Sequence, residues 1–191
     1  LGHHQQQQPQ HWDHAIAKGS VQQVRRPSGG GAVLHDSGLT YALIWPSAPR
    51  ARREAYLCTS QWLISGCAHL GLELQPGQAA AEAGAVNCFA SSTAADLVDA
   101  LGHKRIGSAQ FWRQGHLLQH GEVLINPAIG LWSDLFPSSA PPPLLQLTPE
   151  ALCTALTDAL PTLWPDMEWE NHELTASQWQ EVKQRSADYR V

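Results

Sequence analysis

The stretch that most constrains the fold runs from residue 25 to residue 41: Arg25-Arg26-Pro27-Ser28-Gly29-Gly30-Gly31-Ala32-Val33-Leu34-His35-Asp36-Ser37-Gly38-Leu39-Thr40-Tyr41. Three consecutive glycines separate a basic pair from a short apolar run. Glycine admits positive φ and lets backbone approach a ligand closely. Successive N–H groups there can form an anion-binding nest, and Arg25 and Arg26 can add fork-shaped donors for a phosphate or carboxylate. Taken alone, the triplet reads more often as only a loop. Ala32 to Leu34 read as a short buried strand ending at His35 and Asp36.

The whole chain sets outer limits. Its 191 residues suit one domain, or one domain with a small appendage. A chain of this length buries roughly 70% of its unfolded surface, so its core needs no staples. A net charge of −5 argues against a nucleic-acid binder. No apolar run is long enough to span a bilayer. Cys58, Cys67, Cys88 and Cys153 show no metal-ligand spacing, and they read as reduced thiols of a cytoplasmic protein. No metal site is expected. The Gln- and His-rich start, with His3, His4 and His11, reads as a polar, poorly ordered segment rather than as metal-binding residues.

The pattern of elements follows. His11 to Lys18 reads as a short helix stopped by Gly19, Val21 to Arg26 as a strand, and Leu39 to Trp45 as a strand rich in β-formers. Arg50 to Leu70 is the clearest helix, with Tyr56, Leu63, Cys67 and Leu70 on one face and Gly71 as its stop. Arg50, Arg52 and Arg53 crowd its first turn, where the helix dipole disfavours cations. They read as a solvated cluster or as the mark of an acidic partner. Leu72 to Leu74 read as a short strand, Gln75 to Val86 as a loop, and Asn87 to Thr93 as turn-prone. Asp96 to Val98, Ile106 to Trp112 and His116 to Ile125 read as strands, with Arg113-Gln114-Gly115 as a hairpin turn. Residues 136–149 form a Pro-rich linker. Thr148-Pro149-Glu150 opens a helix that Pro161 is expected to end. A capping box at Thr175 and Gln178 opens a last helix. Residues 150–191 thus read as a helical appendage.

Two blocks carry a family resemblance. The run RRPSGGGAVLHD resembles the signature of the lipoate–protein ligase and octanoyltransferase family, which shares its fold with biotin–protein ligase. Gly102-His103-Lys104-Arg105-Ile106-Gly107-Ser108-Ala109-Gln110, followed by Leu117-Leu118-Gln119-His120-Gly121, is similar to the family's lysine block and its His-Gly strand. Leu1-Gly2-His3-His4-Gln5 is similar to a segment that lines the family's acyl pocket. The helix and strands that precede it in the family are absent here, which implies a catalytic domain over residues 1–135 lacking its N-terminal part. The implied fold is α/β (α+β): a mixed, largely antiparallel sheet with packed helices, of the class II synthetase-like biotin/lipoate ligase type, plus the small helical appendage.

The resemblance also implies roles. Lys104 matches the lysine that contacts the acyl carbonyl and, in ligases, the phosphate; a fixed ammonium there stabilises an oxyanion. Cys88-Phe89 is similar to the cysteine loop of one octanoyltransferase subfamily, where the Cys is the nucleophile. The residues around Cys88 leave both an accessible thiol and a core thiol open, and Lys104 nearby would lower its pKa. Arg26, Ser28, Gly29, Gly30, Gly31, His35, Gly107, Ser108, Ala109, His120 and Gly121 are implied to bind substrate. Read from residue type alone, His35 and His120 suit a core or hydrogen-bonding role first, and beside a Cys and a Lys either can also shuttle a proton.

Three functions stay open. One is an acyltransferase that takes octanoyl from acyl carrier protein through a Cys88 thioester and passes an octanoyl or lipoyl group to a lysine of a lipoyl carrier domain, with no cofactor. Another is a lipoate–protein ligase that uses ATP and Mg2+ to form lipoyl-adenylate. The third is a non-catalytic carrier-binding module. Cys88 and Leu39-Thr40-Tyr41 favour the transferase; Gly31 is ligase-like.

Overall fold

The computed structural model describes residues 1–78, 93, 95–136, 138 and 140–191. The expected loop at 75–86, the turn at 87–93 and Cys88 lie wholly or mostly outside the described residues. The sheet has five antiparallel strands in the order β1-β5-β4-β3-β2, with β1 Leu39–Trp45, β2 Gln75–Pro76, β3 Leu97–Val98, β4 Lys104–Arg113 and β5 His116–Val123. Its backbone is the β4–β5 hairpin. Gln114 and Gly115 take φ values of 52° and 83°, so the two-residue turn has the left-handed geometry that matches strand twist. That turn sets Arg113 against His116 and hence the whole register.

Alternation on β4 and β5 divides the sheet into two faces. Ile106, Leu117, Val123 and Tyr41 face a layer made by helix α2 (Arg52–Ala68) and helix α4 (Pro149–Leu163). Leu63, Cys67, Leu97, Ile106, Leu152 and Ala159 are fully buried there. A polar chain crosses this layer: Thr59 Oγ1 donates to Gln119 Oε1 at 2.7 Å, Gln119 Nε2 to Tyr41 OH at 3.2 Å, and Tyr41 OH meets Ser108 Oγ at 2.6 Å. Each buried polar atom in that chain is therefore satisfied. The opposite face is covered at one end by helix α1 (Trp12–Ala17) and helix α3 (Ile129–Leu135). Trp12, Ala32, Leu124, Trp132 and Phe136 form a second apolar cluster there.

Several expectations change. Val21 to Arg26 is no sheet strand: Leu1 Nα donates to Val24 O, and Arg25 N donates to Tyr189 O at 2.7 Å. Ala32 to Leu34 likewise form no strand of the sheet. The short strand lies at Gln75–Pro76 rather than Leu72 to Leu74. Pro161 sits inside α4, which runs on to Leu163. Helix α3 had no signal in the sequence beyond its apolar residues. Helix α4, read as a packed helical piece, does pack: Leu152, Ala155, Leu156 and Ala159 lie against α2, and Trp62 Nε1 donates to Leu156 O at 2.8 Å. Helix α5 (Ala176–Ser186) has its expected capping box and no buried residue. No described helix is long and apolar enough to cross a membrane.

Leu152→Ala is expected to cost about 2–5 kcal/mol of stability, read from urea unfolding, because Leu152 is fully buried. A change within about 0.5 kcal/mol, typical of a surface site, would show α4 as detached.

Candidate active site

The face opposite α2 and α4 carries most of the chemistry. Cross-strand register builds rows on it: Thr40, Glu122 and Gly107; then Ala42, His120 and Ala109; then Ile44, Leu118 and Phe111. The first row is polar and its Glu122 is buried, whereas the last row is apolar and leaves Ile44 71% exposed.

The glycine loop joins this face through Ser28, whose Oγ lies 2.6 Å from His120 Nε2. Ser28 is buried, and its carbonyl accepts from His3 N at 2.8 Å. Gly2 is pressed against Gly30: a Cβ at Gly2 would collide with the Gly30 carbonyl, so only glycine fits there. The basic pair holds backbone. Arg26 NH2 donates to Gly29 O at 2.7 Å and Gly31 O at 2.8 Å, while Arg25 NH1 donates to Gly2 O at 3.0 Å and Gln5 O at 2.6 Å.

His35 and Asp36 diverge. His35 Nδ1 lies 2.7 Å from Glu122 Oε2, while Asp36 Oδ2 accepts from Ala128 N at 3.1 Å just before α3. Both residues, with Arg26, border a cavity of about 390 Å³ whose apolar walls include Trp12, Ile16, Leu34 and Phe136.

Lys104 reaches this face because of a register shift. Leu97 pairs with Ile106 but Val98 pairs with Lys104, so one step on β3 spans two on β4. Adjacent residues of β3 point to opposite faces, which turns Lys104 away from Ile106 and the core. Its Nζ lies 2.9 Å from Asp96 Oδ1, both side chains being buried. Asp96 Oδ2 accepts from Thr93 N at 2.8 Å and Thr93 Oγ1 at 3.0 Å. Arg105 binds Asp99 Oδ2 through Nε at 2.7 Å and Pro142 O at 2.6 Å. Burial works against the Asp99 carboxylate, but Arg105 and His103 outweigh it and hold its pKa below the usual range.

The structure thus brings Arg26, Ser28, Gly29, Gly30, Gly31 and His120 into one bonded group, with His35 beside it. Gly107 and Ala109 lie on the same face. Ser108 and Gly121 turn to the other: Ser108 bonds Tyr41, and a Cβ on Gly121 would strike the Gly107 carbonyl and the Tyr41 ring. Sequence reasoning missed Glu122, Thr40 and Asp96; a carboxylate inside a strand was the available signal for Glu122. Among the described cysteines, burial pushes the Cys67 thiol up to about 12. Burial and then Glu54 raise that of Cys58. Cys153 is exposed on α4. Among the described residues no group of three or more His, Cys, Asp or Glu side chains is placed to hold a metal.

Solved structures with the same architecture identify the class: it is the fold of lipoate–protein ligases. A lipoate-protein ligase A bound with ATP superposes with a TM-score of 0.73 at 17% identity, over 92% of this chain and 71% of that one. The bi-partite lipoate protein ligase of Thermoplasma acidophilum gives 0.70 at 17% identity, over 91% and 69%. The lipoyl protein ligase A/B catalytic domain model matches residues 1–143, and the chain belongs to that family. Octanoyltransferase LipM of Carboxydothermus hydrogenoformans is 37% identical over 131 residues, 65% of this chain and 48% of the relative. That of Brevibacillus brevis is 39% identical over 129 residues, 60% and 46%. The chain spans about half the length of these relatives.

His120 gives a pH test. Burial, then the charges of Arg26 and His35, lower its pKa. The folded state therefore prefers the neutral ring, while the unfolded ring titrates near about 6.5. The resulting stability is full above that value and is lost as pH falls through the lower folded pKa. His120→Asn, which can still bond Ser28, is expected to flatten the fall in urea midpoint just below pH ~6.5. An unchanged slope would remove His120 as its source.

Proposed function

We propose that the chain is the catalytic part of an acyltransferase of protein lipoylation. It moves an octanoyl or lipoyl group onto a lysine of a lipoyl carrier domain through a Cys88 thioester. The observation that carries this reading is 37–39% identity to octanoyltransferases over 129–131 residues. Acyl carrier protein is the proposed donor.

The chemistry follows from two groups. A thiolate takes the acyl group, which splits a difficult aminolysis into two easier displacements. The raised pKa values of Cys58 and Cys67 make those thiols poor nucleophiles. Lys104, set by the bulge on the face of Gly107 and Ala109, supplies positive charge for the carbonyl oxygen as it becomes an oxyanion. Asp96 fixes that ammonium in place. The row containing Ala109 and His120 is where the acyl carbonyl is set, beside the glycine loop.

A ligase reading has one observation in its favour, the third glycine Gly31, whose carbonyl binds Arg26. There ATP and Mg2+ would activate lipoate as the adenylate, and Cys88 would be dispensable. Intact-protein mass spectrometry separates the two. With octanoyl–acyl carrier protein and no ATP, an octanoyl adduct on Cys88, released by hydroxylamine, is expected. Cys88→Ser should abolish adduct and transfer, and Lys104→Ala should slow adduct formation on the order of 100-fold. Full activity of Cys88→Ser with lipoate and ATP would establish the ligase instead.

Lipoyl domains and acyl carrier proteins are acidic partners of the kind a basic patch steers. Arg50, Arg52 and Arg53 are all exposed at the start of α2. Reversing two of them to Glu is expected to slow association about tenfold at low salt and to weaken its salt dependence. The same association rate in both proteins would exclude the patch.

A further inference from the structure

We propose that His35, held by Glu122, is the base that takes the proton of the attacking lysine amine, and that Glu122 is its positioning residue. This rests on the lipoylation reading above, though on either chemical route to it.

The geometry distinguishes the two histidines. His120 already uses Nε2 on Ser28, and it lies against Arg26 and His35, whose charges oppose a proton on it. His35 is placed the other way. Its Nδ1 faces the Glu122 carboxylate at 2.7 Å, and among the described residues its Nε2 has no hydrogen-bond partner. The His35 side chain is 49% exposed and that of Glu122 only 2%. A carboxylate on Nδ1 fixes the tautomer with its lone pair on Nε2 and receives the positive charge when Nε2 is protonated.

Glu122 is itself held. Thr40 Oγ1 donates to Oε2 at 2.7 Å. Gly38 lies so close that a Cβ there would strike Glu122 Oε1 and the Val123 carbonyl. A buried carboxylate is costly unless paired. Its described bonds are to His35 and Thr40, neither of them part of the core, so the packing of the sheet does not explain it. Glu122 also stands next to the row of His120 and Ala109, where the acyl carbonyl is set.

The step balances as follows. The carrier lysine enters as free amine, its ammonium proton having gone to solvent. The amine nitrogen attacks the acyl carbonyl and a C–N bond forms. Its N–H proton passes to His35 Nε2. The tetrahedral adduct collapses, the bond to the leaving group breaks, and the electron pair departs on thiolate sulfur or, in the ligase route, on phosphate oxygen. The imidazolium then returns its proton to that group or to water, and Nδ1–H remains on Glu122.

Glu122→Gln keeps the shape and removes the charge. Single-turnover amide formation from preloaded acyl-protein is expected to fall on the order of 100-fold. Acyl loading and KM for the carrier domain should stay unchanged. His35→Gln should lose a similar factor, and the double variant should be no slower than either, as for residues acting as one unit. Nitrogen-15 NMR of the histidine ring should find the proton on His35 Nδ1 in the parent protein and a tautomer mixture in Glu122→Gln. Wild-type amide formation by either single variant would overturn the proposal, as would equal slowing of loading and amide formation. If the parent protein loads no acyl group by either route, the lipoylation reading fails. The NMR result then still reports whether the His35–Glu122 pair exists.

Discussion

One residue of mismatch between β3 and β4 decides which side of the sheet each charged group serves. Without it, Lys104 would share the face of Ile106 and enter the apolar layer under α2 and α4. With Val98 opposite Lys104 and Leu97 opposite Ile106, the register turns the Lys104 side chain to the sheet face of Gly107 and Ala109, where its buried ammonium is held by Asp96. Arg105, the residue between, is drawn to Asp99 and the Pro142 carbonyl. Three consecutive residues thus go to an ion pair on the site face, a buried structural clamp and the core. A bulge that re-aims a side chain next to a functional site is a recurrent use of this irregularity.

The other face supplies the rigidity this requires. Gln119 sits at its centre, accepting from Thr59 and Gln110 and donating to Tyr41, while Tyr41 reaches Ser108. These bonds tie α2, β1, β4 and β5 together in a layer from which water is excluded, where a satisfied network is strong and a broken one costly. Burial pushes the Tyr41 hydroxyl up to about 12, against the pull of its bonds to Ser108 and Gln119, so it stays protonated. Helix α4 closes the layer. Gly66 lets it approach α2, since a Cβ there would crowd Leu156.

Much of this was legible in the sequence because it depends on local rules. The Gln114-Gly115 turn, the Thr148 cap with Pro149, the Thr175 and Gln178 capping box and the apolar face of α2 each follow from neighbouring residues. The two motif blocks could likewise be read in order, and the family they pointed to is the family found. What escaped depends on partners far along the chain. The 21–26 segment looked like a strand, yet its hydrogen bonds go to Leu1 and Tyr189 at opposite ends of the sequence. Pro161 looked like a stop, but in the last turn of α4 the packing of Leu152, Leu156 and Ala159 carries the helix past it. The sequence alone assigns Asp96 and Glu122 no role, because the pairing of each with a buried cation or an imidazole requires the sheet to be folded first.

The arginines next to the glycine triplet show how a correct motif can carry a different physical meaning. In the sequence they offer forked donors to a ligand anion. In the fold, Arg25 gathers the carbonyls of Gly2 and Gln5, and Arg26 those of Gly29 and Gly31. A triplet with no side chains has many conformations in the unfolded chain, and ordering it is costly in backbone entropy. Two charged hydrogen bonds from one guanidinium, each stronger than a neutral bond, offset part of that cost and select one loop shape. With its carbonyls turned toward Arg26, the loop is free to present N–H groups elsewhere. Ser28 then docks it on His120, so the glycines, the two arginines and β5 form one support. The basic pair is needed even if neither arginine touches substrate, because the loop would otherwise have no fixed shape to offer one.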